Sequence, residues 1–98
     1  MSLTALLETI TEKAIHSDAL GSTLKFKMEE GVIYLDGTGE ENVVSDEDKD
    51  AACVIEIKKT DLENLIGGTL NPMAAFMGGK LKVKGDMGVA MKLQNIVS

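Results

Sequence analysis

A chain of 98 residues with 44% hydrophobic and 27% charged side chains is long enough to bury one core, so residues 1–98 are read as a single domain. Ten lysines against sixteen acids leave a net charge of −6, and there are only three aromatics, which excludes the basic, base-stacking surface of a nucleic-acid binder. No stretch approaches about eighteen consecutive apolar residues, and MSLTALLETITEKA has no basic leader region, so neither a membrane span nor a signal peptide is expected.

The chain opens with Leu3, Leu6, Leu7, Ile10 and Ala14 at three- and four-residue spacing, which predicts an amphipathic helix capped by Ser2 or Thr4. From Gly21 the period changes to two. Leu24, Phe26 and Met28 alternate with Lys25 and Lys27, as in a half-buried strand. EEG then reads as a tight turn, VIYLD as a second strand apolar on both faces, GTGEEN as a loop and VV as a short third strand. The acidic run SDEDKD leads into a fourth strand, AACVIEIK. Short links between strands predict an antiparallel meander rather than crossover units.

The second half has a different grammar. Thr60-Asp61-Leu62-Glu63 has the form of a capping box, starting a helix that Gly67-Gly68 ends. Asn71-Pro72 starts a further short helix, which stops at Gly78-Gly79. KLKVK reads as a fifth strand, with Leu81 and Val83 inward and its lysines outward. Asp86 can cap a last helix from Met87 to about Ile96. Its apolar residues Met87, Val89, Ala90, Met91, Leu93, Ile96 and Val97 cover roughly 220° of the circumference, where packing on one sheet needs a stripe of about 100°. The surplus must meet another helix, another subunit or a ligand.

Chemistry-bearing motifs are scarce. Gly79-Lys80 lacks the Ser or Thr that follows a phosphate-loop lysine, and Ala74 stands where the first glycine is required, so these glycines terminate a helix. The acids from Asp46 to Asp50 resemble the start of a calcium loop, but Ala51 and Ile57 occupy its glycine and glutamate positions. His16 has no second histidine to share a metal, so no metal site and no cofactor are expected. Cys53 alternates within a strand, where a free thiol acts as a small hydrophobe; one cysteine allows no internal disulfide and fits a reducing compartment. Four of the six methionines fall between Asn71 and Asn95, as core filling or as the lining of a site for a flexible apolar ligand.

Taken in order, DAACVIEIKKTDLENLIGG, LNPMAAFMGGKLKVKGDM and the closing AMKL resemble the sterol carrier protein 2 domain, the nonspecific lipid-transfer family. The match is firm from Asp50 to Asn95 and looser back to the first helix. The resemblance implies an α+β fold: a five-stranded, mostly antiparallel sheet covered on one face by helices, enclosing an apolar tunnel. It implies a carrier of fatty acid, fatty acyl-CoA or sterol that performs no reaction itself and makes transient membrane contact. The positions matching the family's cavity are Leu62, Leu65 and Ile66, then Met73, Phe76 and Met77, then Met87, Ala90, Met91 and Gln94. Facing strand positions are Phe26, Met28 and Leu35; Lys80, Lys82 and Lys84 share one strand face, read first as a solvated face and second as an attraction for an anionic head group. Family members from eukaryotes often continue into a tunnel-closing tail with a peroxisomal address. QNIVS matches no such signal, so a cytoplasmic protein with a more open tunnel is expected. A non-catalytic dimerisation or partner-binding module of the same fold is the alternative, and monomer and homodimer are both left open.

Overall fold

The computed structural model describes residues 2–93 and Ile96. Helix α1 spans Leu3–Ile15 and begins where the Ser2 hydroxyl accepts a hydrogen bond from the Ala5 amide at 3.1 Å. Leu6, Ile10 and Ala14, one turn apart, form its buried stripe. Strands β1 (Thr23–Met28), β2 (Gly31–Asp36) and β3 (Val43–Ser45) follow as the expected antiparallel meander. Strand β4 (Cys53–Ile57), helix α2 (Lys59–Gly67), helix α3 (Pro72–Met77), strand β5 (Leu81–Gly85) and helix α4 (Met87–Lys92) complete the order.

The sheet runs β3-β2-β1-β4-β5, and only the β1–β4 pairing is parallel. The cause lies in the acidic connection. Asp48 pairs with Lys25 at 2.8 Å, the Lys49 ammonium sits 5.9 Å from the Tyr34 ring centroid, and the Ala52 amide donates to the Thr23 hydroxyl at 2.9 Å. These contacts carry the chain back along the outer sheet face to the end where β1 starts. A strand leaving from there beside β1 must run parallel to it.

Alternation then sorts the two faces. Leu24, Phe26, Ile33, Leu35, Cys53 and Ile55 point inward and are buried. Lys25, Lys27, Glu56, Lys82 and Lys84 share the outer face in register. All four helices contribute to the same core as the inward face, so helices cover one side.

One helix boundary differs from expectation. The capping box at Thr60 does not form: α2 starts at Lys59, Lys58 holds the cap position without a side-chain bond, and Thr60 lies inside the first turn. A cap contributes about 1 kcal/mol, whereas burying a leucine contributes about 2 kcal/mol. The one-residue link from β4, which brings Leu62, Leu65 and Ile66 onto the sheet, therefore sets the start. Gly68 closes α2 as expected, with the positive φ of 83° that a glycine adopts without strain. The last helix runs regularly to Lys92, and Ile96 is buried beyond it.

An apolar groove beneath two short helices

Each short helix is placed by a cap and a single buried anchor. In α3 the Asn71 side-chain oxygen accepts from the amides of Met73 at 2.8 Å and Ala74 at 3.3 Å, and Pro72 fills the first helical position. Only Ala75 of α3 is buried. In α4 the Asp86 carboxylate accepts from the Gly88 amide at 2.8 Å, and Val89 is the buried anchor. Residues three apart on a helix share a face, so Met73 and Phe76 look the same way along α3. Met87, Ala90 and Met91 do so on α4.

These two faces, Leu65 of α2 and the edge of the sheet bound a groove of about 170 Å³. Ile55 of β4 stands opposite Val83 of β5 and Ile57 opposite Leu81, so the register places Ile55, Val83 and Leu81 along its floor. Pro72 and Leu93 complete the lining, which contains no charged side chain. The wide apolar arc of the last helix is accounted for here. Val89, Leu93 and Ile96 face the core, while Met87 and Met91 turn toward the groove and solvent.

Of the positions singled out from sequence, Leu65, Met73, Phe76, Met87, Ala90 and Met91 converge on this groove. Phe26, Leu35, Leu62 and Ile66 lie buried in the core and do not line it. Met28 lines a different, charged hollow with Lys27, Glu29, Glu56 and Lys58. Met77 does not line the groove. It is one residue past Phe76, hence about 100° around the helix, and it is 80% exposed to water. Gln94 lies outside the described residues. Ile55, Pro72, Leu81, Val83 and Leu93 were not singled out as site residues, although the alternation of KLKVK already turned Leu81 and Val83 inward.

Titratable groups serve the frame. The hydrogen bond from Lys25 holds the Asp48 carboxyl below its usual range, and the bond from Lys84 does the same for Glu56 at 2.9 Å. Both sit on the outer sheet face, away from the groove. Burial pushes the Cys53 thiol up, with the Asp86 charge adding to the effect. That is the reverse of what activates a nucleophile, whose thiolate must be favoured. A thiol reagent is therefore expected to leave native Cys53 unmodified and to label it only on unfolding; rapid native labelling would contradict its burial. Among the described residues no three His, Cys, Asp or Glu side chains converge as a metal site would need, and no helix is long and apolar enough to cross a membrane.

A five-stranded sheet with helices on one face and a purely apolar groove between them describes a carrier or binding domain. Comparison with known proteins makes that class specific. A profile of the SCP-2 sterol transfer family matches residues 3–98, and the chain belongs to that family. It is 40% identical over 84 residues to sterol carrier protein 2 of Oryctolagus cuniculus, an alignment covering 79% of this chain and 15% of that protein. The chain thus spans a small part of the curated relatives it matches. Among solved structures, the sterol carrier protein domain 2 of Helicoverpa armigera is 29% identical with a TM-score of 0.67, covering 94% of this chain and 79% of that one. Palmitated SCP2L2 from Aedes aegypti superposes with a TM-score of 0.73 at 20% identity, covering 99% and 95%.

Proposed function

We propose that this domain carries a lipid whose apolar part lies in the groove between α3, α4 and the β4–β5 edge. The observation that carries the reading is a lining made solely of apolar residues from five elements, next to methionines left open to water. Concave apolar sites of this kind take small ligands, and flexible Met side chains accommodate several ligand shapes. Family membership points the same way. Fatty acids, fatty acyl-CoA and sterols are the ligand classes proposed.

At about 170 Å³ the groove covers a segment of a long chain. Fuller burial follows if α3 and α4 move apart. A helix of six residues has little stability of its own, and α3 has one buried anchor, so its displacement disturbs few contacts. Burying about fifteen methylenes at ~0.8 kcal/mol each gives roughly 12 kcal/mol gross. Association and ordering take back at least about 4 kcal/mol, which leaves micromolar-class binding or tighter. Because no charge lines the groove, a polar head group would stay at its mouth in water.

Titration with a fluorescent fatty acid is expected to show near-stoichiometric uptake, and native mass spectrometry a matching adduct. A protein purified free of lipid that takes up neither fatty acid nor sterol would sink the reading. The exposure of Met77 and Met91 favours one competitor, a partner-binding module of the same fold. A constitutive dimer that binds no lipid is the result that would select it.

A further inference from the structure

Methionine is distributed unevenly between the core and the surface. Among the described residues Met28 is the one methionine of the buried core, which is built mainly of leucine and isoleucine. Met73, Met77, Met87 and Met91 instead stand on α3 and α4, each between 46% and 80% exposed. Core filling, one of the two roles their sequence allowed, is not what these four do. Met73, Met87 and Met91 line the groove, and Met77 does not. Oxidation of sulfur follows its access to solvent. Met28 is 8% exposed and Cys53 0%, so among the described residues the four thioethers of α3 and α4 are the sulfur that an oxidant can reach.

We propose that Met73, Met87 and Met91 form an oxidisable rim, where a peroxide converts lining thioethers to sulfoxides and thereby lowers the affinity of the groove for lipid. The effect on the ligand rests on the lipid-carrier reading. In each event the peroxide O–O bond breaks, the Sδ lone pair takes one oxygen to form the S–O bond, and water leaves. The sulfur is oxidised by two electrons and the peroxide is reduced. A methionine sulfoxide reductase drawing on a dithiol reverses the step: the oxygen leaves as water, the dithiol becomes a disulfide and the thioether returns.

The chemistry of the groove makes this change felt. A sulfoxide oxygen is a hydrogen-bond acceptor, and no residue of the lining carries a side-chain donor for it. A lipid laid over the sulfoxide strips its water and offers no bond in return, which weakens binding. Turning the oxygen outward keeps its water but withdraws the side chain from the lining, so apolar ligand surface stays wet. Either response holds the ligand less tightly. Met77 is the internal control. It is the most exposed of the four, yet its oxidation changes no surface of the groove.

The test treats the full chain, purified free of lipid, with hydrogen peroxide and follows each sulfur by peptide mass spectrometry, beside titration with a fluorescent fatty acid. Met73, Met77, Met87 and Met91 are expected to gain oxygen before Met28 and Cys53. Oxidised wild type should bind the probe about tenfold more weakly, and methionine sulfoxide reductases with dithiothreitol should restore it. Saturating fatty acid should slow oxidation of Met73, Met87 and Met91 and leave that of Met77 at its free rate. Met73→Leu with Met87→Leu and Met91→Leu, swaps that conserve volume, should bind the probe equally before and after peroxide, whatever its starting affinity. Met77→Leu should lose affinity on oxidation as wild type does. Urea midpoints before and after oxidation keep unfolding apart from loss of binding. Oxidation of Met28 as fast as the rim, unchanged probe binding by oxidised wild type, or a triple leucine variant that still loses affinity overturns the oxidisable rim. Unoxidised wild type that takes up no probe overturns the carrier reading, and with it the effect on the ligand; the order of oxidation, which needs no lipid, then stands or falls alone.

Discussion

Replacing Asn42 with alanine is expected to lower the unfolding free energy by about 3 kcal/mol, a large share of the total for a chain of this size. Among the described residues Asn42 is the buried polar one, 3% exposed. Its side-chain oxygen accepts from the Leu20 amide at 2.8 Å, and its nitrogen donates to the carbonyls of Ala14 and Asp18, both at 3.0 Å. One side chain thereby ties the end of α1 and the loop after it to the start of β3. Alanine removes all three bonds and leaves the buried Leu20 amide without its acceptor, a penalty of about 1–3 kcal/mol by itself. The packing around it is close: a Cβ on Gly37 would lie 2.6 Å from the Leu20 nitrogen and 2.7 Å from the Asn42 oxygen.

At an m-value of about 1.5 kcal/mol per molar urea, the midpoint should fall by about 2 M with the slope unchanged. Asn42→Asp supplies a pH-dependent companion. Its carboxylate still accepts from Leu20 but would face two carbonyls, so burial and those dipoles raise its folded pKa above its unfolded value near 3.9. Stability is then best below the unfolded pKa and is lost as pH rises through the folded one. The deficit should be smaller at pH 4 than at pH 7. A change below about 1 kcal/mol for Asn42→Ala would mean that α1 is held by its apolar stripe alone.

Nothing local marks Asn42 for this role. In GTGEEN it reads as an ordinary loop residue, and its partners lie 22 to 28 positions away. Features decided within a few residues were readable: Ser2, Asn71 and Asp86 cap their helices, and Leu24, Phe26 and Met28 all face the core. Thr60 misled because a correct local signal competed with the connection from β4. The parallel β1–β4 pair was hidden for the same reason as Asn42, since contacts such as Asp48 with Lys25 join segments far apart in sequence. In the groove the family resemblance pointed to Leu62, Leu65 and Ile66 of α2 together. Only the packed arrangement decides that Leu65 reaches the cavity while Leu62 and Ile66 close the core beside it. The single step of helix rotation that separates Phe76 from Met77 was visible in principle, but which side α3 would present to the sheet was not.

Ala90→Trp should weaken binding of a fluorescent fatty acid about a hundredfold while the domain stays folded. Ala90 is half-buried on α4 between Met87 and Leu93, all three on the groove, and has the smallest side chain of its lining. Its size leaves the space open. An indole at this position fills the groove with protein, because a buried tryptophan covers about 200 Å². A chain displaced from contact with about four methylenes loses ~0.8 kcal/mol for each, or about 3 kcal/mol, which is the hundredfold change. The fold should tolerate it: α4 has one wall in solvent, so Met87 and Met91 can swing outward where a closed core would resist with about 1–3 kcal/mol of overpacking. Ala90→Ser adds one hydroxyl and should bind within about threefold of wild type, which separates blocking the space from disturbing the helix. Circular dichroism and urea midpoints for both variants confirm that folding is not the variable. If Ala90→Trp remains folded and takes up the probe like wild type, the ligand does not lie in this groove, and the apolar lining of α3 and α4 must serve a partner instead.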